Sequence, residues 1–301
     1  AHHGRLLATS AARPCRLKQP EKVWEEERQE CLQEFWEECC KPNLPPIKGN
    51  DFQLWSVAGL ITLADWIGSD EQFFPPDQTL NTAELIHRAK CAISTIGLEI
   101  PKIRNECTFE ELFGGKRPYS MQIACSKTIT KPGIYILEAP MGMGKTEAAL
   151  FASYNLLKNG DAYGIYFALP TQATSNRIFL RLADFANRIC INNIKTQLIH
   201  GNSWLCDNLK NLTIPGSSDK QKNGGRITPD NIWFNSSRRS LFAPFGVGTI
   251  DQALLSVLAV KHFPLRRVAL QKKILILDEV HTYDVYTGKL IERLCSDPEK
   301  L

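Results

Sequence analysis

Gly133-Ile134-Tyr135-Ile136-Leu137-Glu138-Ala139-Pro140-Met141-Gly142-Met143-Gly144-Lys145-Thr146 is the stretch whose reading decides the fold. Its apolar run Ile134–Leu137 predicts a short buried strand, and the Glu147-Ala148-Ala149-Leu150 that follows opens a helical pattern. Between them lies a turn close to the phosphate-loop pattern G-x-x-x-x-G-K-[ST], with Ala139 in place of the first glycine. The substitution leaves the chemistry standing. Gly142 and Gly144 let the backbone curl so that successive N–H groups face an anion, with the positive end of a helix behind them. Lys145 supplies a mobile charge for outer phosphates, and Thr146 a hydroxyl for magnesium. Ala139, Gly142, Met143, Gly144, Lys145, Thr146 and Glu147 are thus the candidates for binding a nucleotide such as ATP. A strand-to-helix turn with a chance lysine is the alternative, and the order strand, glycines, Lys-Thr, helix weighs against it.

A nucleotide site needs a second half. Lys272-Lys273-Ile274-Leu275-Ile276-Leu277 predicts a central parallel strand covered on both faces, and it ends in Asp278-Glu279-Val280-His281. Open α/β sheets place their ligands at that end of a strand. Asp278 can hold Mg2+ through water there, and Glu279 can orient and deprotonate an attacking water. An acidic pair after an apolar run is also how a strand exits into solvent. The upstream phosphate loop is what gives it weight.

The strand Tyr163–Leu169 is followed by Pro170-Thr171-Gln172-Ala173-Thr174-Ser175-Asn176 and a helix with Ile178, Leu182, Phe185 and Ile189 inward. Thr171, Gln172 and Asn176 can donate to or accept from phosphate oxygens of a nucleic acid; a plain polar helix cap is the other explanation. Phe245–Thr249 predicts another short strand, closed by Gly248 and Thr249 and followed by a helix to about Val260. Lys261, His262, Arg266 and Arg267 form the densest basic cluster of this part, which reads as a nonspecific phosphate patch.

Before the phosphate loop the pattern is helical. Glu21–Cys40 is an acidic amphipathic helix, Phe52–Trp66 a nearly all-apolar and therefore buried one, and Asn81–Leu98 a third with Ala83, Ile86, Ala89, Ile93 and Ile96 as its core stripe. Asp65, the lone acid deep in the apolar helix, must be paired, bound to metal, or placed at a frayed end. His2 and His3 sit side by side at the start, either as imidazole ligands for transition metal ions or as a solvent-facing terminal pair. Phe109, Leu112 and Phe113 form a small apolar anchor near the boundary between the helical part, 1–110, and the α/β part, 111–301.

Composition restricts the rest. With 43% hydrophobic and 23% charged residues over 301 positions, the chain is ordinary globular material, long enough for two domains. A net charge of +4 permits nucleic-acid binding without requiring it. The ten cysteines contain no C-x-x-C pair and read as reduced thiols, so a cytoplasmic location and no membrane contact are expected. The chain opens on Ala1 and stops shortly after the Asp278 strand, which reads as an internal segment of a longer polypeptide.

Asp278-Glu279-Val280-His281-Thr282-Tyr283-Asp284, with Glu138 to Ala149 and Val247-Gly248-Thr249-Ile250-Asp251-Gln252, resembles the helicase–nucleases of type I CRISPR interference, which are superfamily 2 helicases of the D-E-x-H type. His2-His3-Gly4 and Ala64-Asp65-Trp66-Ile67-Gly68-Ser69-Asp70 resemble the last metal motifs of the HD-type nuclease domain that precedes that helicase. The resemblance implies an α/β fold in which a RecA-like P-loop parallel sheet, the first helicase lobe, follows an all-helical remnant of the nuclease domain, with a second lobe missing. It implies ATP with Mg2+ in the lobe, and divalent transition metal ions or Mg2+ held by His2, His3 and Asp65 in the nuclease. It makes Gln122 a contact to adenine, Gly248 and Thr249 contacts to a DNA backbone, and His281 a relay of the nucleotide state. Single-stranded DNA and an RNA-guided surveillance complex are the implied partners. A superfamily 2 ATPase acting on RNA or chromatin, or a noncatalytic relic that kept the fold, are the other classes compatible with these motifs.

Overall fold

The computed structural model describes residues 51–78, 80–170, 175–192, 196–199, 239–258, 260 and 262–296, together with the helical residues 26, 29, 30 and 33. His2, His3, Thr171, Gln172, Lys261 and most of the helix expected over Glu21–Cys40 lie outside the described residues. The first half contains α1 (Asp51–Gly68), α2 (Thr82–Ile96), α3 (Phe109–Leu112), α4 (Ser120–Thr128) and α5 (Lys145–Lys158). The second alternates strands and helices: β1 (Gly164–Leu169), α6 (Ser175–Ile189), β2 (Thr196–Ile199), β3 (Phe245–Thr249), α7 (Ile250–Leu254), α8 (Phe263–Leu270), β4 (Lys273–Leu277) and α9 (Val285–Cys295).

The strands form one parallel sheet in the order β2-β3-β1-β4. β1 is buried along its whole length, as a continuous apolar run in a two-faced parallel sheet should be. Its side chains alternate between two cores. Ile165, Phe167 and Leu169 meet Leu150, Tyr154 and Leu157 of α5 and Leu182, Phe185 and Ile189 of α6. Tyr166 and Ala168 meet Ile250 and Leu254 of α7, Leu270 of α8, and Ile291 and Leu294 of α9. The segment before α4 belongs to the first of these cores. Phe109 packs edge-on against Phe151, and the Arg104 N–H donates to the Ile189 carbonyl at 2.8 Å.

Several expectations need correction. Ile134–Leu137 forms no strand: it makes no ladder bonds, and Ile134 and Ile136 are 60% and 85% exposed. An apolar run becomes a strand only beside a neighbour, and no described strand pairs with it. For the same reason β4, expected as a central strand, is the edge of the described sheet and only half-buried. α2 is a helix opened by a reciprocal cap between Asn81 and Glu84, yet Ile86 and Ile93 of its expected stripe are exposed while Ala92 and Ile96 are buried. The helix after Thr249 ends at Leu254, well short of Val260. The basic patch is largely not on the surface: His262 and Arg266 are each 7% exposed, and Arg266 donates to the Gln252 side chain at 2.8 Å.

α1 is a helix as expected but only one of its faces is covered. Trp55, Ser56, Gly59, Thr62 and Trp66 lie toward α8, whereas Leu54, Leu60 and Ile61 are exposed. Trp55 meets Phe263 with ring centroids 4.5 Å apart, and Trp66 meets both His262 and the Arg239 guanidinium. The Gln271 amide donates to Ser56 Oγ at 2.7 Å. Gly59 permits this approach, since a Cβ there would lie 2.5 Å from the Pro264 carbonyl oxygen. Backbone cannot yield as a side chain can, so Gly59→Val is expected to cost ~1–3 kcal/mol of overpacking. A fall in the denaturation midpoint of that size would confirm the seam, and an unchanged midpoint would mean α1 does not dock on α8.

Candidate functional site

Parallel register brings the ends of three strands level. Leu169 lies opposite Thr249, Ala168 lies opposite Leu277, and the Asp278 N–H extends the ladder to the Ala168 carbonyl at 3.0 Å. The segments that follow β1, β3 and β4 therefore leave the sheet at one end, the end where ligands collect in such folds.

The glycine turn between Ala139 and Thr146 has the shape its sequence implies. Gly142 and Gly144 take φ of 80° and 74°, values that L side chains avoid, and Gly144 is the N-cap of α5. Lys145 Nζ donates to the Ala139 carbonyl at 2.9 Å, folding the ammonium back across the loop. The first N–H groups of α5 have no helical partners of their own, so an anion in the loop meets them together with the Lys145 charge. Glu147, in the first turn, is 3.7 Å from Arg181 of α6. Gln122 is buried against this loop: its Nε2 donates to the Gly144 carbonyl at 3.0 Å, and its Oε1 accepts from the Tyr119 N–H at 2.8 Å.

The acidic pair faces the same region. Burial raises the Asp278 carboxyl above its ordinary range, and the Glu279 charge adds to this; the Glu279 N–H and the Lys145 ammonium act in the opposite direction. The Lys145 contribution is the smallest of these. Glu279 sits at φ 50°, a left-handed conformation uncommon for a non-glycine residue, and its carboxylate is 3.4 Å from His281 Nε2. Asp284, whose function its sequence position left open, is a helix cap. It accepts from the Tyr286 and Thr287 N–H groups, and these bonds hold its carboxyl below the usual range. Tyr283 was not anticipated. Burial, with the Asp278 and Asp251 charges adding to it, pushes its phenol up to about 12. No periodicity signals such a residue.

The other candidates are distributed differently. Gly248 and Thr249 are buried at the end of β3, with the Thr249 carbonyl accepting from the Tyr166 hydroxyl at 2.9 Å. Asn176 is in the first turn of α6. Asp65 is exposed on the uncovered side of α1, and no group of three or more potential metal ligands occurs among the described residues.

The described sheet is small and parallel, with a glycine turn opening α5 and an acidic pair closing β4. The profile described as "Cas3, HD domain" matches residues 1–74. The chain is 36% identical over 98% of its length to the CRISPR-associated endonuclease/helicase Cas3 of Thermus thermophilus, and 38% identical over 78% to the Streptococcus thermophilus nuclease/helicase Cas3. It covers 34% and 27% of those proteins, so it spans about a third of the length of the curated relatives it matches. Among solved structures, T. fusca Cas3 with AMPPNP aligns over 97% of this chain and 34% of that one, at TM-score 0.75 and 29% identity. The chain matches the Cas3 HD-domain model at its start and aligns with Cas3 helicase–nucleases over nearly all of its own length, and its coarse architecture, helices followed by a small parallel sheet, matches theirs.

The two loop glycines give a graded test. Alanine at either position takes on a left-handed conformation at ~1–2 kcal/mol. Only at Gly144 would the methyl also run into the Gln122 side-chain nitrogen, since nothing lies within 4 Å of a Cβ at Gly142. Titration of the purified protein with ATP should show a larger affinity loss for Gly144→Ala than for Gly142→Ala. Equal losses would mean that the Gln122 contact does not shape the loop.

Proposed function

We propose that residues 111–301 are the first lobe of an ATP-driven motor that moves along single-stranded DNA, and that residues 1–110 are the end of the metal-dependent nuclease domain that cuts it, both in CRISPR antiviral defence. The observation that supports this reading is geometric: a loop with two positive-φ glycines opens α5, which packs on β1, and the Asp278 N–H continues the β1–β4 ladder to the Ala168 carbonyl, so the glycine turn and the acidic pair both attach to elements packed on β1. The family relation supplies the reaction class.

The residues present suit MgATP. Backbone N–H groups of the turn and Lys145 would hold the phosphates, and Thr146 and Asp278 would hold the magnesium, which when bound neutralises charge on the phosphate oxygens. Burial and its acidic neighbour raise the Asp278 carboxyl, and a cation beside it would favour its charged form. Glu279 would take the proton of the attacking water, and its contact with His281 offers a route by which the nucleotide state reaches neighbouring segments. Ala139, Gly142, Met143, Gly144 and Glu147 complete the nucleotide set. Thr171, Gln172, Asn176, Gly248 and Thr249 are proposed for the DNA backbone; Thr249 is 8% exposed, so its side chain would have to be uncovered first.

The nuclease metals fit the described residues less well. Asp65 gathers no other ligands among them, and His2 and His3 lie outside them, so this assignment is supported by the profile match over residues 1–74 alone and no metal-dependent step is derived. A surveillance complex as partner is supported by a match at TM-score 0.56 and 26% identity to a structure titled "CRISPR RNA-guided surveillance complex, pre-nicking". Among the described residues no helix is long and apolar enough to cross a membrane, and a cytoplasmic location remains part of the proposal.

Two substitutions in the complete protein separate the activities. Lys145→Ala is expected to remove DNA-stimulated ATP hydrolysis by about 100-fold or more, because the charge nearest the outer phosphates is lost. Turnover within about twofold of wild type would make Lys145 structural and the nucleotide site wrong. Asp65→Ala is expected to abolish metal-dependent cleavage of single-stranded DNA and leave ATP hydrolysis intact. Loss of both activities in a folded variant would assign Asp65 a structural role instead of metal binding.

A further inference from the structure

We infer that Arg266 is a positioning residue that sets the segment after β3 proposed to meet the DNA backbone, and that it does so without touching DNA itself. The inference rests on that DNA reading and deepens it. By charge alone, the basic cluster at 261–267 suggests a direct hold on phosphate. Arg266 is placed otherwise. It stands on α8, 7% exposed, and its Nη1 donates to the Gln252 side-chain oxygen at 2.8 Å. A guanidinium withdrawn from water needs acceptors around it, and drawing it out to a phosphate would break the bond it already makes. Its hold is on the protein.

What it holds is specific. Gln252 belongs to α7, which starts directly after Thr249, the last residue of β3. Two bonds therefore fix the passage from strand to helix: the Tyr166 hydroxyl donates to the Thr249 carbonyl at 2.9 Å, and Arg266 donates to Gln252. Ile250 and Leu254 of α7 share a core with Ala269 and Leu270 of α8. Such apolar contact brings the two helices together but has no direction of its own, and the Arg266 bond supplies one. α8 is itself a firm reference. Phe263 meets Trp55, the Pro264 carbonyl leaves no room for a Cβ at Gly59, and Gln271 donates to Ser56, all three partners lying on α1. Arg266 thus refers the proposed DNA segment to the helix on which α1 is seated.

A residue that positions and a residue that grips phosphate respond differently to salt. Anisotropy titrations of a fluorescent oligothymidylate with the complete protein, at salt from about 50 to 200 mM, compare wild type, Arg266→Met, Gln252→Met and the double variant. Each single variant is expected to raise the Kd about three- to tenfold, the worth of a lost hydrogen bond. The double variant should bind no worse than the weaker single one, because both changes remove the same bond. The slope of log affinity against log salt is expected to stay at the wild-type value, as is the half-saturating ATP concentration without DNA. A slope reduced by about 0.7 in Arg266→Met, the share of one phosphate contact on a single strand, would overturn the inference in favour of direct contact. Additive losses in the double variant, unchanged DNA affinity, or an equal weakening of ATP would overturn it too. If Arg266→Met does not fold, Gln252→Met alone decides: weaker DNA binding at wild-type slope and ATP affinity supports the inference, and unchanged binding contradicts it. Thr249→Ala separates this failure from that of the DNA reading. Loss of affinity in Thr249→Ala but not in the Arg266 and Gln252 variants would refute the positioning role alone, whereas wild-type affinity in all of them would refute the DNA reading of the segment.

Discussion

The pairing of β1 with β4, carried one residue beyond the strand by the Asp278 N–H bond to the Ala168 carbonyl, is the constraint on which the site depends. It fixes the height at which the acidic segment leaves the sheet. β1 can act as the reference because both of its faces are packed, and a buried strand shifted by one residue would exchange its two cores. With β1 fixed, Asp278 arrives within electrostatic range of Lys145, and Glu279 turns through its left-handed backbone toward His281. None of these groups needs to travel to meet the others.

A second constraint ties the helical segment to this lobe. α8 lies immediately before β4, and α1 is seated on α8 through Trp55, Gly59 and Trp66. Trp66 follows Asp65 directly, so the face of α1 that docks and the face that carries the acid are set by the same helix rotation. The exposed Leu54, Leu60 and Ile61 share the uncovered side of α1 with Asp65.

Legibility in the sequence followed locality. The glycine turn, its helix and the acidic strand end were readable because each is encoded within a few neighbouring residues: glycine for positive φ, an apolar run for a strand, a carboxylate at its close. Inward residues of α6 were readable for the same reason, since Leu182, Phe185 and Ile189 share one helical face. What failed was long-range. Periodicity at Ile86 and Ile93 says that a face is apolar, not what covers it, and the apolar run Ile134–Leu137 cannot report whether a neighbour exists to pair with it. The buried His262 and Arg266 looked like surface charge because their partners, Trp66 and Gln252, are 196 and 14 positions away. Tyr283 and the double bonding of Gln122 depend on three-dimensional proximity alone.

The central claim is that the glycine turn and the end of β4 form one magnesium–nucleotide site. An experimental structure of the complete protein with a nonhydrolysable ATP analogue and magnesium tests it most directly. The account predicts the triphosphate within the Ala139–Thr146 turn and the metal between the Thr146 hydroxyl and Asp278, with Glu279 facing the terminal phosphate. A triphosphate bound elsewhere, or a metal held without Asp278, would contradict it.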